Sequence, residues 1–293
     1  MRIDKWLRKN FSSLNQSFIE KNLRKGNIKV NKKKIISKYK LQHNDEVQIF
    51  NYSLDIYNHQ PSDPSNKSIS SKYKKLFQSH TIFENDNFIV LDKWAGIATQ
   101  GGSKINISID HIIKSFSDNY NLVHRLDRET SGLLIIAKNL KTTRYFGKLF
   151  KDRLIKKIYI ATCQGNPKNI ESEIELSIAD KIDKNKKHNS ITRYKVFQSI
   201  NRLSNIIFSP KTGKTHQIRI VAKHLGCPII GDTKYNNQDK YKDEKLKLNA
   251  HLLNFSFNNK DYEFVSELPE HFKNFFNKNK LKKINTVVLH EFL

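Results

Sequence analysis

Cysteine occurs only twice in 293 residues, as Cys163 and Cys227, 64 positions apart. Neither has a CxxC partner, so a disulfide framework and a cysteine-held zinc site are both disfavoured, and a reducing cytosol is the expected setting. Long apolar runs are missing too. None approaches the roughly 20 residues of a membrane helix, and Met1-Arg2-Ile3-Asp4-Lys5-Trp6 opens no signal-peptide core. A soluble, non-secreted, cytoplasmic protein with no membrane partner is expected. Acidic residues are a third scarcity: 28 Asp and Glu stand against 53 Lys and Arg, a formal net charge of +25. That excess goes beyond what solubility needs, and its sign suits polyphosphate or another anionic surface. Arginine is rare within it, with 10 Arg against 43 Lys. A guanidinium makes bidentate carboxylate and phosphate contacts that an ammonium cannot, so an Arg inside a motif carries weight.

What is present suffices for a core. Hydrophobic residues make up 37% and aromatics 11% of the chain, which argues against wholesale disorder. The length suits one mid-sized domain with a smaller appendage. Charge is front-loaded, since 13 basic and two acidic residues fall among the first 40. There Ile3, Leu7 and Phe11 share a helical face, and Phe18, Ile19 and Leu23 suggest a second helix stopped at Gly26. Ile28-Lys-Val30, an Asn31-Lys32 turn, and Val47 and Ile49 after Asn44-Asp45 read as short strands. Pro61, Pro64 and several Ser and Lys mark a linker, so the expected division is 1–58, a linker over 59–78, and a body over 79–293. In the body, Phe88–Leu91, Leu133–Ile136, Ile158–Ala161 and Ile206–Phe208 read as strands. Lys141–Asp152 and His216–Leu225 read as helices, and Phe272, Phe275 and Phe276 place a packed helix near the end. No repeat of fixed period is visible.

Two polar clusters stand out. Residues 121–138 crowd His124, Arg125, Asp127, Arg128, Glu129, Thr130 and Ser131 between two apolar runs. A turn needs Gly132 and one Asx residue, not two Arg, a His and two acids, so function is favoured over turn-capping. An Asp beside Arg and hydroxyls can be held and aimed as a nucleophile or base. The plainer alternative is a structural Asp–Arg pair. The second cluster is Pro210-Lys-Thr-Gly-Lys-Thr-His-Gln-Ile-Arg219, with Thr215 as the expected helix N-cap. A phosphate-loop reading is weak, because only Gly213-Lys214-Thr215 fits that motif. His216 and Arg219, three apart, share a helix face.

Together these stretches resemble a known family. His124-Arg-Leu-Asp127-Arg-Glu-Thr-Ser-Gly132-Leu is similar to the catalytic signature of the RluA pseudouridine synthases. Thr212–Arg219, Gly231-Asp232-Thr-Lys-Tyr235, Lys157-Ile-Tyr159-Ile-Ala161 and Ile89–Gly96 support the likeness, which covers roughly residues 80–260. Arg2–Leu7, Lys25–Asn31 and the Asn44-Asp45 turn resemble the S4 RNA-binding domain, and Gln100–Ser103 points to the C type of large-subunit ribosomal RNA synthase.

The resemblance implies an α+β protein: an S4-like αα-β module, then a mixed α/β catalytic domain with a central, mainly antiparallel sheet. It implies isomerisation of uridine to pseudouridine in RNA, with 23S ribosomal RNA in a pre-ribosomal particle as the expected substrate, by a monomer needing no cofactor or metal. It implies Asp127 as nucleophile, Tyr159 as the aromatic against the target base and Arg219 as the ion-pair partner of Asp127. Arg125, Thr130, Lys214 and His216 become substrate contacts. Arg8, Arg24, Lys25, Lys29 and Lys32 become contacts of the N-terminal module with RNA. Four positions depart from the family pattern: Lys214 replaces Arg, Trp94 replaces Pro, and Val221 and Asn249 replace His. A transfer RNA synthase and a non-catalytic ribosome-assembly factor are the rival readings, the latter disfavoured because the Asp and the Tyr are both present. Metal-dependent nuclease and deaminase readings lack a ligand set.

Overall fold

The structure, a computed structural model, describes residues 1–11, 14–57, 69–102, 105–179, 187–236, 239–241 and 243–293. Its internal contacts divide the chain into Met1–Ser68 and Ile69–Leu293. In the first unit α1 (Ile3–Asn10) and α2 (Gln16–Lys25) precede β1 (Ile28–Val30), β2 (Val47–Ile49) and the single turn α3 (Leu54–Tyr57). Ile3 and Leu7 of α1, with Ile19 and Leu23 of α2, pack on Ile28 and Val30, so each helix buries one stripe against the antiparallel β1–β2 ribbon. The Asn15 side chain accepts the Phe18 N–H to start α2, and Gly26, at φ 79°, ends it. Asn31 and Lys32 both have positive φ, which carries the chain out of β1.

The second unit starts earlier than the sequence suggested. Residues 69–78, assigned to the linker, belong to it: Ser70 caps α4 (Ser71–Ser79), and Phe77 is buried against Ile109 and Ile113. The rest of the expected linker, 59–68, lies outside the described residues. The succession then runs β3 (Thr81–Glu84), β4 (Phe88–Lys93), α5 (Ile109–Lys114), β5 (Asn121–Leu122), β6 (Ser131–Ala137), α6 (Leu140–Lys151), β7 (Lys156–Gln164), β8 (Glu171–Ala179), β9 (Lys187–Ile200) and β10 (Leu203–Pro210). After it come α7 (Gln217–His224), β11 (Leu248–Phe257), β12 (Lys260–Val265), α8 (Glu270–Asn279) and α9 (Thr286–Phe292).

The strands join in the order β3-β4-β6-β11-β7-β10-β9-β8, with β5 on β6 and β12 on β11. All described pairings are antiparallel except β6 with β11, so the mainly antiparallel α+β expectation holds. Side chains alternate across each strand, and this fixes which helix covers which face. Leu134 and Ile136 of β6 meet α5, while Leu133 and Ile135 meet Phe146 of α6. On β7, Ile158 and Ile160 face the three phenylalanines of α8, and Ala161 and Cys163 face Ile218, Val221 and Ala222 of α7. Among the described residues no helix is long and apolar enough to cross a membrane.

At the parallel junction, Ser131 and Gly132 lie opposite Asn249 and Ala250. Gly132 has φ 107°, and a Cβ there would stand 2.3 Å from the Ala250 carbonyl oxygen. Only glycine lets the chain leave the 123–130 loop and enter β6 this close to β11.

Candidate active site

Four segments meet on the α7 side of the sheet: the loop between β5 and β6, the start of β7, the loop between β10 and α7, and the turn after Gly231. The first three, with Leu248 of β11, line a cavity of about 140 Å³. All seven side chains expected from the two motifs and β7, namely Asp127, Tyr159, Arg219, Arg125, Thr130, Lys214 and His216, line it. The five basic residues expected to hold RNA lie in the first unit. There Arg8, Arg24, Lys25 and Lys32 are exposed, and Lys29 sits with its ammonium 4.9 Å from the centre of the Phe50 ring.

Arg219 organises the cavity floor. Its Nε and Nη2 donate to the two oxygens of the fully buried Asp232 carboxylate, both at 2.7 Å, and its Nη1 donates to Asp127 Oδ2 at 3.4 Å. Burial works against the Arg219 charge, but the hydrogen bonds and charge of Asp232, with help from Asp127, raise its pKa above the usual value. Burial likewise opposes the Asp232 charge, yet Arg219 and the Lys234 and Tyr235 backbone N–H groups hold its pKa below the usual carboxylate value. A fixed cation thus faces Asp127 whatever the solvent does at the rim.

His216 approaches Asp127 from the other side, Nε2 to Oδ1 at 3.8 Å, and its Nδ1 shares a hydrogen bond with the Tyr235 hydroxyl at 3.0 Å. Burial lowers its pKa, with Asp127 opposing, so a neutral ring is favoured. Tyr159 is half-buried. Burial first, then the Asp127 charge, push its hydroxyl far above the ordinary phenol value, leaving a neutral phenol beside the carboxylate.

Two expectations about the loops change. His216, not Thr215, occupies the N-cap of α7; it adopts a left-handed φ of 56° and makes no side-chain cap bond. The Thr215 hydroxyl instead accepts from Arg125 Nη2 at 3.4 Å, tying the two motif loops together. Nor do hydroxyls cap Asp127. The Thr130 backbone N–H bonds the Asp127 carbonyl, whereas the Thr130 hydroxyl is buried and has no hydrogen-bond partner among the described residues. The Ser131 hydroxyl meets Asn249, whose amide also donates to Ser266.

The family model for RNA pseudouridylate synthase matches residues 87–224. A Rickettsia bellii protein named ribosomal large subunit pseudouridine synthase C is 37% identical, over 92% of this chain and 95% of its own. Its namesake in Vibrio cholerae is 30% identical over 87% of this chain and 84% of its own. The chain belongs to the RluA family of pseudouridine synthases. Among solved structures, human RNA Pseudouridylate Synthase Domain Containing 4 shares the synthase fold, with a TM-score of 0.65 at 22% identity, covering 73% of this chain and 98% of that one.

In this synthase several residues quoted only as parts of motifs turn out to hold the site. Asp232 grips Arg219. Buried Gln217 accepts from the Thr212 hydroxyl and the Lys214 N–H, and donates to the Ile191 carbonyl and the Thr192 hydroxyl, which fixes the loop carrying Lys214. Lys93, fully buried, donates to the carbonyls of Trp94, Ile97 and Arg128 and so anchors the loop that carries Asp127. Burial lowers its pKa to about 7, with Glu129 and Asp127 opposing. Buried polar residues inside apolar stretches are the signal that marks such positions in a sequence. Of the departures, Val221 packs in the core under α7, and Asn249 holds the start of β6.

Proposed function

We propose that this synthase modifies uridines of large-subunit ribosomal RNA, with Asp127 as its nucleophile. The observation that carries the reading is the position of Asp127, on a cavity wall opposite an arginine already paired with a second carboxylate, with the Tyr159 ring beside it. An Asp127 oxygen attacks C1′ of the target ribose, and the N1–C1′ bond breaks with its electron pair moving to the uracil. The base turns, C5 joins C1′, Asp127 leaves, and the C5 proton is lost while N1 takes one up. Substrate and product are isomers, so no cofactor is consumed. A base stacked in a helix is out of reach, so the target nucleotide must be flipped into the cavity. Tyr159 packs on it as a neutral ring, Arg219 steadies the carboxylate, and Arg125, Thr130, Lys214 and His216 line its path.

Ribosomal RNA is supported by the names of the curated relatives. The first unit, with two helices, a short ribbon and much of the positive charge, acts as an S4-like RNA-binding module through Arg8, Arg24, Lys25, Lys29 and Lys32. The protein works as a cytoplasmic monomer on a pre-ribosomal particle. Mapping pseudouridines in the RNA of cells with and without the protein tests this. The expected result is loss confined to large-subunit ribosomal RNA. Loss confined to transfer RNA would move the substrate assignment.

A further inference from the structure

Three lysines of the second unit are buried or half-buried, and two of them have hydrogen-bond partners. Lys93 holds three carbonyls, and Lys247 holds Glu244 and the Lys245 carbonyl. Lys157 is different. It lines the catalytic cavity, two residues before Tyr159 on the same face of β7, and its ammonium has no hydrogen-bond or ion-pair partner among the described residues. A second unsatisfied group belongs to a residue lining the same cavity: the hydroxyl of Thr130, a residue 2% exposed, has no hydrogen-bond partner among the described residues. A buried hydroxyl left unpaired is costly, and such a group on a cavity-lining residue points to a missing ligand atom.

We propose that Lys157 is a further catalytic residue, whose ammonium, together with the Thr130 hydroxyl, holds the carbonyl edge of uracil and stabilises the charge it carries once detached. This rests on the reading of the cavity as the isomerisation site and deepens it. When the N1–C1′ bond breaks toward Asp127, the electron pair leaves with the base and spreads over N1, O2 and O4. A half-buried cation lacking a carboxylate of its own among the described residues gives its field to that charge at little reorganisation cost. A phosphate fits this position less well, because the backbone stays at the rim, where Arg125 and Lys214 stand, while the base alone enters. Burial, with a smaller contribution from Arg153, lowers the Lys157 pKa to about 8, as expected for a cation awaiting an anionic partner.

The test is single-turnover tritium release from C5-labelled RNA by wild type, Lys157→Met, Lys157→Gln, Lys157→Arg and Thr130→Val, alongside RNA affinity at several salt concentrations. Removing one preorganised donor of this kind typically costs 10²- to 10³-fold in rate. Lys157→Met and Lys157→Gln are therefore expected to lose roughly 100-fold in rate with KM within about threefold of wild type. Lys157→Arg should recover much of the loss, and Thr130→Val should lose less than Lys157→Met. A Met variant that fails to fold leaves the Gln and Arg variants to decide. Rates within threefold of wild type in Lys157→Gln overturn the proposal. So does a loss confined to affinity with a shallower salt slope, which would make Lys157 a phosphate contact. A wild-type protein that releases no tritium from any RNA would instead overturn the isomerisation reading itself.

Discussion

Asp232 takes two of the guanidinium nitrogens of Arg219 at 2.7 Å, and the third is left for Asp127 at 3.4 Å. The shorter, fully buried pair is the scaffold, and the longer one faces the cavity. The cation next to Asp127 is therefore aimed by a buried residue that does not line the cavity. Asp232→Asn removes the charge and one of the two acceptors. Breaking a buried pair costs roughly 3–5 kcal/mol, so the melting temperature should fall by about 10 °C. The rate should drop even at temperatures where the variant remains folded. Calorimetry with tritium release measures both, and an unchanged rate in the folded variant would separate Asp232 from the site.

The close passage of Gly132 across Ala250 makes a second expectation. Gly132→Ala combines a positive φ with a Cβ 2.3 Å from a backbone oxygen, and no rotamer relieves either. A loss of about 3 kcal/mol or more is expected by thermal or chemical denaturation. A variant as stable as wild type would show that β6 and β11 can part without cost.

Lys93 gives a pH-dependent signature. Folding holds its pKa at about 7, while in the unfolded chain a lysine titrates near 10.4. Between those values the unfolded state binds a proton that the folded state does not, so wild-type stability gains with rising pH. Below pH 7 the full penalty applies, and above about 10.4 none does. Lys93→Met lacks this term and also leaves three carbonyls unpaired. From pH 7 to 10, wild type should gain on Lys93→Met by on the order of 1 kcal/mol or more. A stability difference independent of pH would contradict the depressed pKa.

Much of this was legible from the residues. The crowding of charge at 124–131 is more than a turn needs, and the three-residue spacing of His216 and Arg219 puts both on one helix face. What escaped was what depends on tertiary contact. Asp232 lies in a quoted motif, but its pairing with Arg219 needs the turn after Gly231 to fold back on α7. Lys93 and Lys157 look like ordinary surface lysines in a chain with so many, and only burial separates them. Strand β11, in the middle of the sheet, was missed because Asn249 and His251 interrupt its apolar run, although both are buried in hydrogen bonds. Helix α4 reads as linker because most of its residues are polar, while Phe77, with Tyr73 beside it, anchors it to the core.

The basic face of the first unit has a measurable consequence. Arg8, Arg24, Lys25 and Lys32 are exposed, and each phosphate contact contributes about 0.9 to the slope of log K against log salt on duplex and about 0.7 on single strands. Changing all four to Gln in the full-length protein should flatten the slope by roughly 3 units if all four meet phosphate. Turnover on a short hairpin at saturating RNA should change little. An unaltered slope would make these residues a solvated face and leave RNA capture to the catalytic unit.

The central claim is that the Asp127 carboxylate, held between Arg219 and His216, performs the chemistry. Asp127→Asn preserves the shape of the side chain while removing the nucleophile. Single-turnover tritium release from labelled ribosomal RNA should fall by roughly 10³-fold or more while RNA affinity stays within a few-fold of wild type. Release within tenfold of wild type would contradict the account.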